Sequence, residues 1–133
     1  MILVDTSVWI DYFNGVKNPH TDLLDASIIH GSIAIGDLIF LEILQGIRND
    51  KHYRQTKQSL LSLEQYEMFG KDMAVVCADN YRTLRKKGVT IRKTADVIIA
   101  TFCIEKELPL LFLDSDFIPF VDHLGLEPAL RET

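Results

Sequence analysis

The chain is predicted to be an α/β domain with a mostly parallel central sheet and helices on both faces, and three observations carry that prediction. Continuous apolar runs stand at Ile2-Leu3-Val4, Ser32-Ile33-Ala34-Ile35 and Leu110-Leu111-Phe112-Leu113. Uninterrupted runs of this length mark strands buried on both faces, as in parallel sheets. Stretches with helical spacing separate them, which is the alternation of parallel crossover units. A length of 133 residues, 47% hydrophobic and 25% charged, suits one globular domain with a substantial core.

The elements follow in order. Ile2 to Asp5 is a short buried strand. Thr6 or Ser7 can cap the next helix through its hydroxyl, and Trp9, Ile10 and Phe13 form that helix's apolar side before Gly15 ends it. Pro19-His20-Thr21-Asp22 restarts the chain, and Leu23, Leu24, Ile28 and Ile29 mark a helix ending near Gly31. Ser32 to Ile35 is the second strand, stopped by Gly36-Asp37. The helix after it carries Leu38, Leu41, Ile43, Leu44 and Ile47, and a polar helix spans Asp50 to Leu63. Tyr66 to Gly70 reads as an edge-like strand. Asp72 to Lys87 is a long helix with Ala74, Val75, Ala78, Tyr81 and Leu84 on its apolar face, ended by Gly88. Thr94 caps a helix reaching Glu107, and Pro109 separates it from the strand Leu110 to Leu113. A helical turn around Phe117 to His123 follows, with a minor last strand near Gly125 to Pro128. There is no linker, repeat or low-complexity segment, so residues 1–133 are expected to form one domain.

Composition narrows the function classes. No apolar stretch approaches the roughly 20 residues that span a bilayer, and the N-terminus lacks the pattern of a signal peptide. The expectation is a cytoplasmic protein with no membrane partner. Cys77 and Cys103 fall inside apolar helical patterns and read as reduced core thiols. His20, His30, His52 and His123 are scattered, with surface or capping roles expected, and no zinc-binding spacing occurs. A net charge of −5 argues against a broad basic surface. Charge is nevertheless uneven, because Arg82, Arg85, Lys86, Lys87, Arg92 and Lys93 follow one another with no acid among them. That segment is either a solvated helix end or a phosphate-steering rim.

Four acids interrupt or bound apolar structure. Asp5 closes the first strand, Asp114 the last, Glu42 breaks Leu38-Ile39-Phe40-Leu41 and Ile43-Leu44, and Asp96 begins Val97-Ile98-Ile99-Ala100. A carboxylate at the edge of buried structure is costly unless it is paired or bound to a cation. Ligands of open α/β sheets gather beyond the carboxyl ends of the strands, where Asp5 and Asp114 stand. Asp96, in a helix's first turn, is favoured there by the dipole. Glu42 shares a helical face with Leu38, Leu41 and Gln45, at the spacing of a core-facing stripe. Gathered at one edge, the acids would make a hard oxygen site suited to Mg²⁺ or Mn²⁺. Asp5, Asp96 and Asp114 each have an ordinary reading as well, as strand-end, first-turn or capping acids, and so does Asp116.

On these pieces the chain resembles the PIN-domain ribonucleases, and within them the VapC toxins of toxin–antitoxin systems. The matching segments are Ile2-Leu3-Val4-Asp5-Thr6-Ser7-Val8-Trp9-Ile10-Asp11-Tyr12-Phe13, Glu42-Ile43-Leu44-Gln45-Gly46, Ala95-Asp96-Val97-Ile98-Ile99-Ala100 and Leu113-Asp114-Ser115-Asp116-Phe117. The resemblance implies Mg²⁺- or Mn²⁺-dependent endonucleolytic cleavage of RNA. It assigns Asp5, Glu42, Asp96 and Asp114 to the acidic site, with Asp116 as a further contributor to the metal. It also implies a homodimer and a small VapB-like antitoxin that blocks the site, with operator DNA reached only through the antitoxin. One departure stands out: many relatives carry a hydroxyl residue two positions before the last acid, where this chain has Phe112.

Rival enzyme classes fit less well. A haloacid-dehalogenase-type phosphatase needs a second Asp two positions after its nucleophile, and Ser7 stands there. The acidic pair and late Lys of a receiver domain are not evident, and neither phosphate-binding glycine motif occurs. The remaining alternative is a catalytically silent binding module that keeps this fold and acts through a protein partner.

Overall fold

In the structure, a computed structural model describing residues 1–131, β1 (Ile2–Val4) lies inside the sheet rather than at its edge. The other strands are β2 (Ile33–Gly36), β3 (Glu64–Tyr66) and β4 (Leu110–Leu111). The helices are α1 (Thr6–Phe13), α2 (Pro19–Ile29), α3 (Asp37–Gln45), α4 (Asp50–Leu61), α5 (Lys71–Lys86), α6 (Thr94–Lys106) and α7 (Ile118–Leu124), with a 3₁₀ turn at Ser115–Phe117. The sheet order is β3-β2-β1-β4 and every pairing is parallel. Leu3 stands opposite Ala34 on one side and Leu110 on the other. The final two residues of the expected 1–133 domain lie outside the described residues.

That order fixes the layers. The chain moves outward from β1 to β2 to β3, then returns across the sheet to place β4 against β1. Right-handed crossovers put the outward helices on one face and the returning pair, α5 and α6, on the other. Consecutive strand residues point to opposite faces, and Leu3, Val4, Ala34 and Ile35 are all fully buried. Both faces are therefore covered, as expected of the α/β class. The reversal of direction between β1 and β4 opens a crevice at their carboxyl ends. Among the described residues, no helix is long and apolar enough to cross a membrane.

Local detail departs from expectation at several points. The third strand lies at Glu64–Tyr66, not Tyr66 to Gly70. Asp37 Oδ1 accepts the Met68 backbone N–H at 3.0 Å, and the Met68 side chain fills the space beside Gly36. These contacts take residues after Tyr66 out of the ladder. In α1 the buried residues are Val8 and Trp9, while Ile10 is exposed. In α2 the buried set is His20, Thr21, Leu24 and Ser27, so Ile28 and Ile29 face out and His20 belongs to the interior rather than the surface. An Asn18 capping box and Pro19 begin that helix, and such a cap contributes about 1 kcal/mol. Along α5, Cys77 and Leu84 are buried while Val75 and Ala78 are exposed, rotating the packed face from the expected one. The last strand reduces to a single bridge between Leu110 and Pro128. Cys77 and Cys103 are free and buried, and burial pushes both thiols above their ordinary range.

Candidate functional site

Asp5 follows β1 directly, and its backbone N–H donates to the Leu111 carbonyl at 2.9 Å, locking the end of β1 to β4. It occupies the cap position of α1 with no side-chain capping hydrogen bond. Its carboxylate is buried, and Oδ2 accepts the Ser7 hydroxyl at 2.8 Å. Burial raises its pKa above the ordinary 3.8, the Ser7 hydroxyl opposes that rise, and the Glu42 charge adds to it.

Glu42 sits on α3, half-buried, and its Oε1 accepts the Thr6 hydroxyl at 2.8 Å. The stripe expected to carry it inward does not face the core, because Leu41 is 56% exposed and Gln45 is exposed too. The core face of α3 is Ile39 and Ile43. Glu42 lies beside that face, and its bond to Thr6 ties it to the start of α1.

Asp96 lies in the first turn of α6 and is 7% exposed. Its Oδ2 is buried with no hydrogen-bond partner, one of two such side-chain atoms among the described residues, the other being Trp9 Nε1. Its pKa is pushed up to about 6, first by burial, then by the charges of Asp5 and Asp114, with Lys93 opposing and Asp116 adding. Asp114 follows β4 after Phe112 and Leu113. It caps the 3₁₀ turn by accepting the Asp116 backbone N–H at 2.9 Å. Asp116 in turn receives Arg92 Nη2 at 3.3 Å.

Carboxylate oxygens of Asp96, Asp114 and Asp116 all lie within 4.8 Å of one another, the one such group among the described residues. Asp5 acts electrostatically on Asp96 and feels Glu42, so it links the three acids to α3. Of the five expected acids, the structure therefore gathers Asp96, Asp114 and Asp116 directly, with Asp5 within electrostatic reach of Asp96 and Glu42 within reach of Asp5. Asp116 belongs to the tight trio, whereas Asp5 borders it and Glu42 borders Asp5. Two like charges 5 Å apart repel by about 3 kcal/mol at an effective dielectric of about 20. A divalent cation removes that cost, and the orphaned Asp96 oxygen supplies an open ligand atom. Oxygen-only donors fit Mg²⁺ or Mn²⁺ better than softer metals.

Phe112, the departure from the family pattern noted in the sequence, packs its ring 5.3 Å from that of Phe117. The hydroxyls at the site come instead from Thr6 and Ser7, beside Asp5 in sequence. The contact between Arg92 and Asp116 is not legible in the sequence. Its only signal is the position of Arg92 at the end of the acid-free basic run.

A family profile described as the PIN domain matches residues 2–120. Ribonuclease VapC11 of Mycobacterium tuberculosis is 27% identical over 97% of this chain and 98% of its own length. Among solved structures, VapBC2 from Rickettsia felis, bound to a DNA fragment from their promoter, superposes with a TM-score of 0.75 and 19% identity, covering 96% of this chain and 97% of that one. VapBC-5 from Mycobacterium tuberculosis, a member of the VapBC family of toxin-antitoxin systems, gives 0.67 and 19%, covering 96% and 95%. At such identities the structural likeness establishes the fold.

Proposed function

The chain belongs to the PIN-domain family, and from that premise we propose that it is a VapC-type endoribonuclease, dependent on Mg²⁺ or Mn²⁺ and restrained by a VapB-like antitoxin. The observation that carries the reading is the acidic trio at the switch point with its buried, unpartnered Asp96 oxygen. The near-complete overlap with a ribonuclease relative supports the choice of RNA over other phosphodiesters.

In this reading Asp96, Asp114 and Asp116 hold the cation, with Asp5 completing the negative field around it. A bound divalent cation supplies Lewis-acid stabilisation of phosphoryl charge and makes water a stronger acid. Ser7 fixes the Asp5 carboxylate, and Thr6 fixes Glu42 through Oε1. Glu42 Oε2 is then the acceptor available to take a proton from the attacking water. The water oxygen bonds to phosphorus, the bond to the leaving ribose oxygen breaks, and that oxygen takes up a proton. A module that only binds a partner would leave RNA intact whatever cation is present, which is the outcome that separates it from the nuclease.

The decisive assay is purified protein on RNA with Mg²⁺, Mn²⁺ or EDTA, against Glu42→Gln. Cleavage that needs the cation and disappears in the variant is expected. Cation-independent cleavage, or equal cleavage by the variant, refutes the proposal. The remaining elements are a cytoplasmic homodimer that meets operator DNA only through its antitoxin. Expression of the chain alone should slow growth, and its cognate antitoxin should restore it. Unimpaired growth with soluble protein in the cell counts against the toxin assignment.

A further inference from the structure

The segment between α5 and α6 is pinned by Ile91, which is buried, and it presents Arg92 and Lys93 outward. The Arg92 side chain is 78% exposed, yet its Nη2 reaches both oxygens of Asp116, at 3.3 and 3.5 Å. Strong charge-assisted pairs are shorter, near 2.7–2.9 Å, and arginine favours a two-nitrogen fork on a carboxylate. Here one nitrogen straddles the group, so most of the guanidinium's five donors remain available. Among the described residues no other acid pairs with Arg92.

Asp116 is also one of the trio whose oxygens converge. It cannot give the same lone pairs to a cation and to a guanidinium, and the two positive charges repel. A cation in the trio therefore weakens the hold on Arg92 and leaves a guanidinium at the rim of the crevice. The anion that arrives there during the proposed reaction is an RNA phosphate, whose planar recognition suits arginine.

Resting on the nuclease reading above, we propose that Arg92 is an exchangeable positioning residue. It pairs with Asp116 when the trio holds no cation and transfers to an RNA phosphate when the carboxylate is committed to the cation. Cation and RNA binding are then positively coupled through one side chain. The competing arrangement is a fixed strut, in which Arg92 orients Asp116 for the cation and never leaves it.

The two arrangements predict opposite signs. In calorimetry with Mn²⁺ on EDTA-stripped full-length protein, Arg92→Ala should bind Mn²⁺ about two- to fivefold more tightly, the range expected on removing a partly exposed partner. Unchanged or weaker Mn²⁺ binding overturns the exchange. Anisotropy of a labelled single-stranded RNA is read in the Glu42→Gln background, so that no cleavage intervenes. Mn²⁺ should raise RNA affinity there, and adding Arg92→Ala should lower affinity about tenfold or more and abolish the Mn²⁺-dependent gain. Retention of that gain overturns the proposal. Arg92→Lys should recover part of the RNA affinity, because it keeps the charge and loses the fork. It also serves as the second variant should the alanine form fold poorly. The readings fail separately. Absence of RNA cleavage by the wild type removes the nuclease reading and this inference with it. Cleavage combined with weakened Mn²⁺ binding in Arg92→Ala removes the exchange alone.

Discussion

Asp96→Asn tests whether the crevice stores repulsion that a cation relieves. The folded-state pKa of Asp96 is raised from 3.8 to about 6, mainly by burial and by Asp5 and Asp114. Every tenfold change in proton affinity corresponds to about 1.4 kcal/mol, so ionised Asp96 opposes folding by about 3 kcal/mol. Half-buried Asp114 and Asp116 border the group, and solvent screening there brings the figure to about 1–2 kcal/mol. The sign follows from linkage. Below the unfolded pKa both states are protonated and the site costs nothing. As pH rises through the window from about 4 to about 6 the unfolded chain loses its proton first, so stability falls, and above that window the full penalty applies. The asparagine variant has no such proton to lose. In urea denaturation with EDTA, Asp96→Asn should exceed the wild type by about 1–2 kcal/mol at pH 7.5, and the gap should close toward pH 4. With Mn²⁺ the order should reverse, because the wild type gains about 2.7 kcal/mol at one hundred times its Kd and the variant loses a ligand. Lower stability of the variant at pH 7.5 in EDTA, or a gap that ignores pH, would refute the account of the site as strained without its cation.

Thr6→Val removes the donor to Glu42 Oε1; single-turnover cleavage should slow about tenfold or more, as for a lost hydrogen bond to a charged group, and an unchanged rate removes Thr6 from the site. Gly36→Ala drives a Cβ into the Met68 side chain, so urea denaturation should show a loss of about 1–3 kcal/mol from overpacking; wild-type stability would mean that Met68 moves aside freely. Replacing Arg85, Lys86 and Lys87 by Ala removes exposed charge from the C-terminal turn of α5. RNA association should weaken and its salt slope flatten, with Mn²⁺ binding retained; an unchanged slope assigns that turn to a merely solvated helix end.

What could be read beforehand, and what could not, follows from where the determinants lie. Asp5, Glu42, Asp96 and Asp114 stand out in the sequence because each bounds or interrupts apolar residues, where a charge needs a reason, whereas Asp116 enters only through the family resemblance. The parallel sheet is legible because its strands are apolar on both faces. The rotation of α3 and α5 is not, since their apolar residues outnumber one face. Tertiary contacts such as that of Asp37 with the Met68 N–H decide which of them turn inward. The third strand is misplaced for a related reason. At the sheet edge Glu64 and Gln65 can be strand residues while exposed, whereas the apolar Met68 is used for packing on Gly36. Arg92 is legible only as part of a basic run, because nothing local distinguishes a solvated arginine from one that reaches an acid 24 residues later.

The strand order has a consequence for when activity can exist. Asp5 and Asp114 become neighbours only when β4 docks on β1, a contact between segments roughly a hundred residues apart whose closure entropy must be met by the rest of the fold. No fragment that lacks either β1 or the stretch from α6 to the 3₁₀ turn, and no intermediate in which β4 is undocked, contains the acidic trio beside Asp5. Hydrolytic capacity should therefore track the fully folded population rather than the amount of chain. A cut between α5 and α6 should leave two inert pieces, and any partner that delays the return of β4 would silence the molecule without touching a carboxylate.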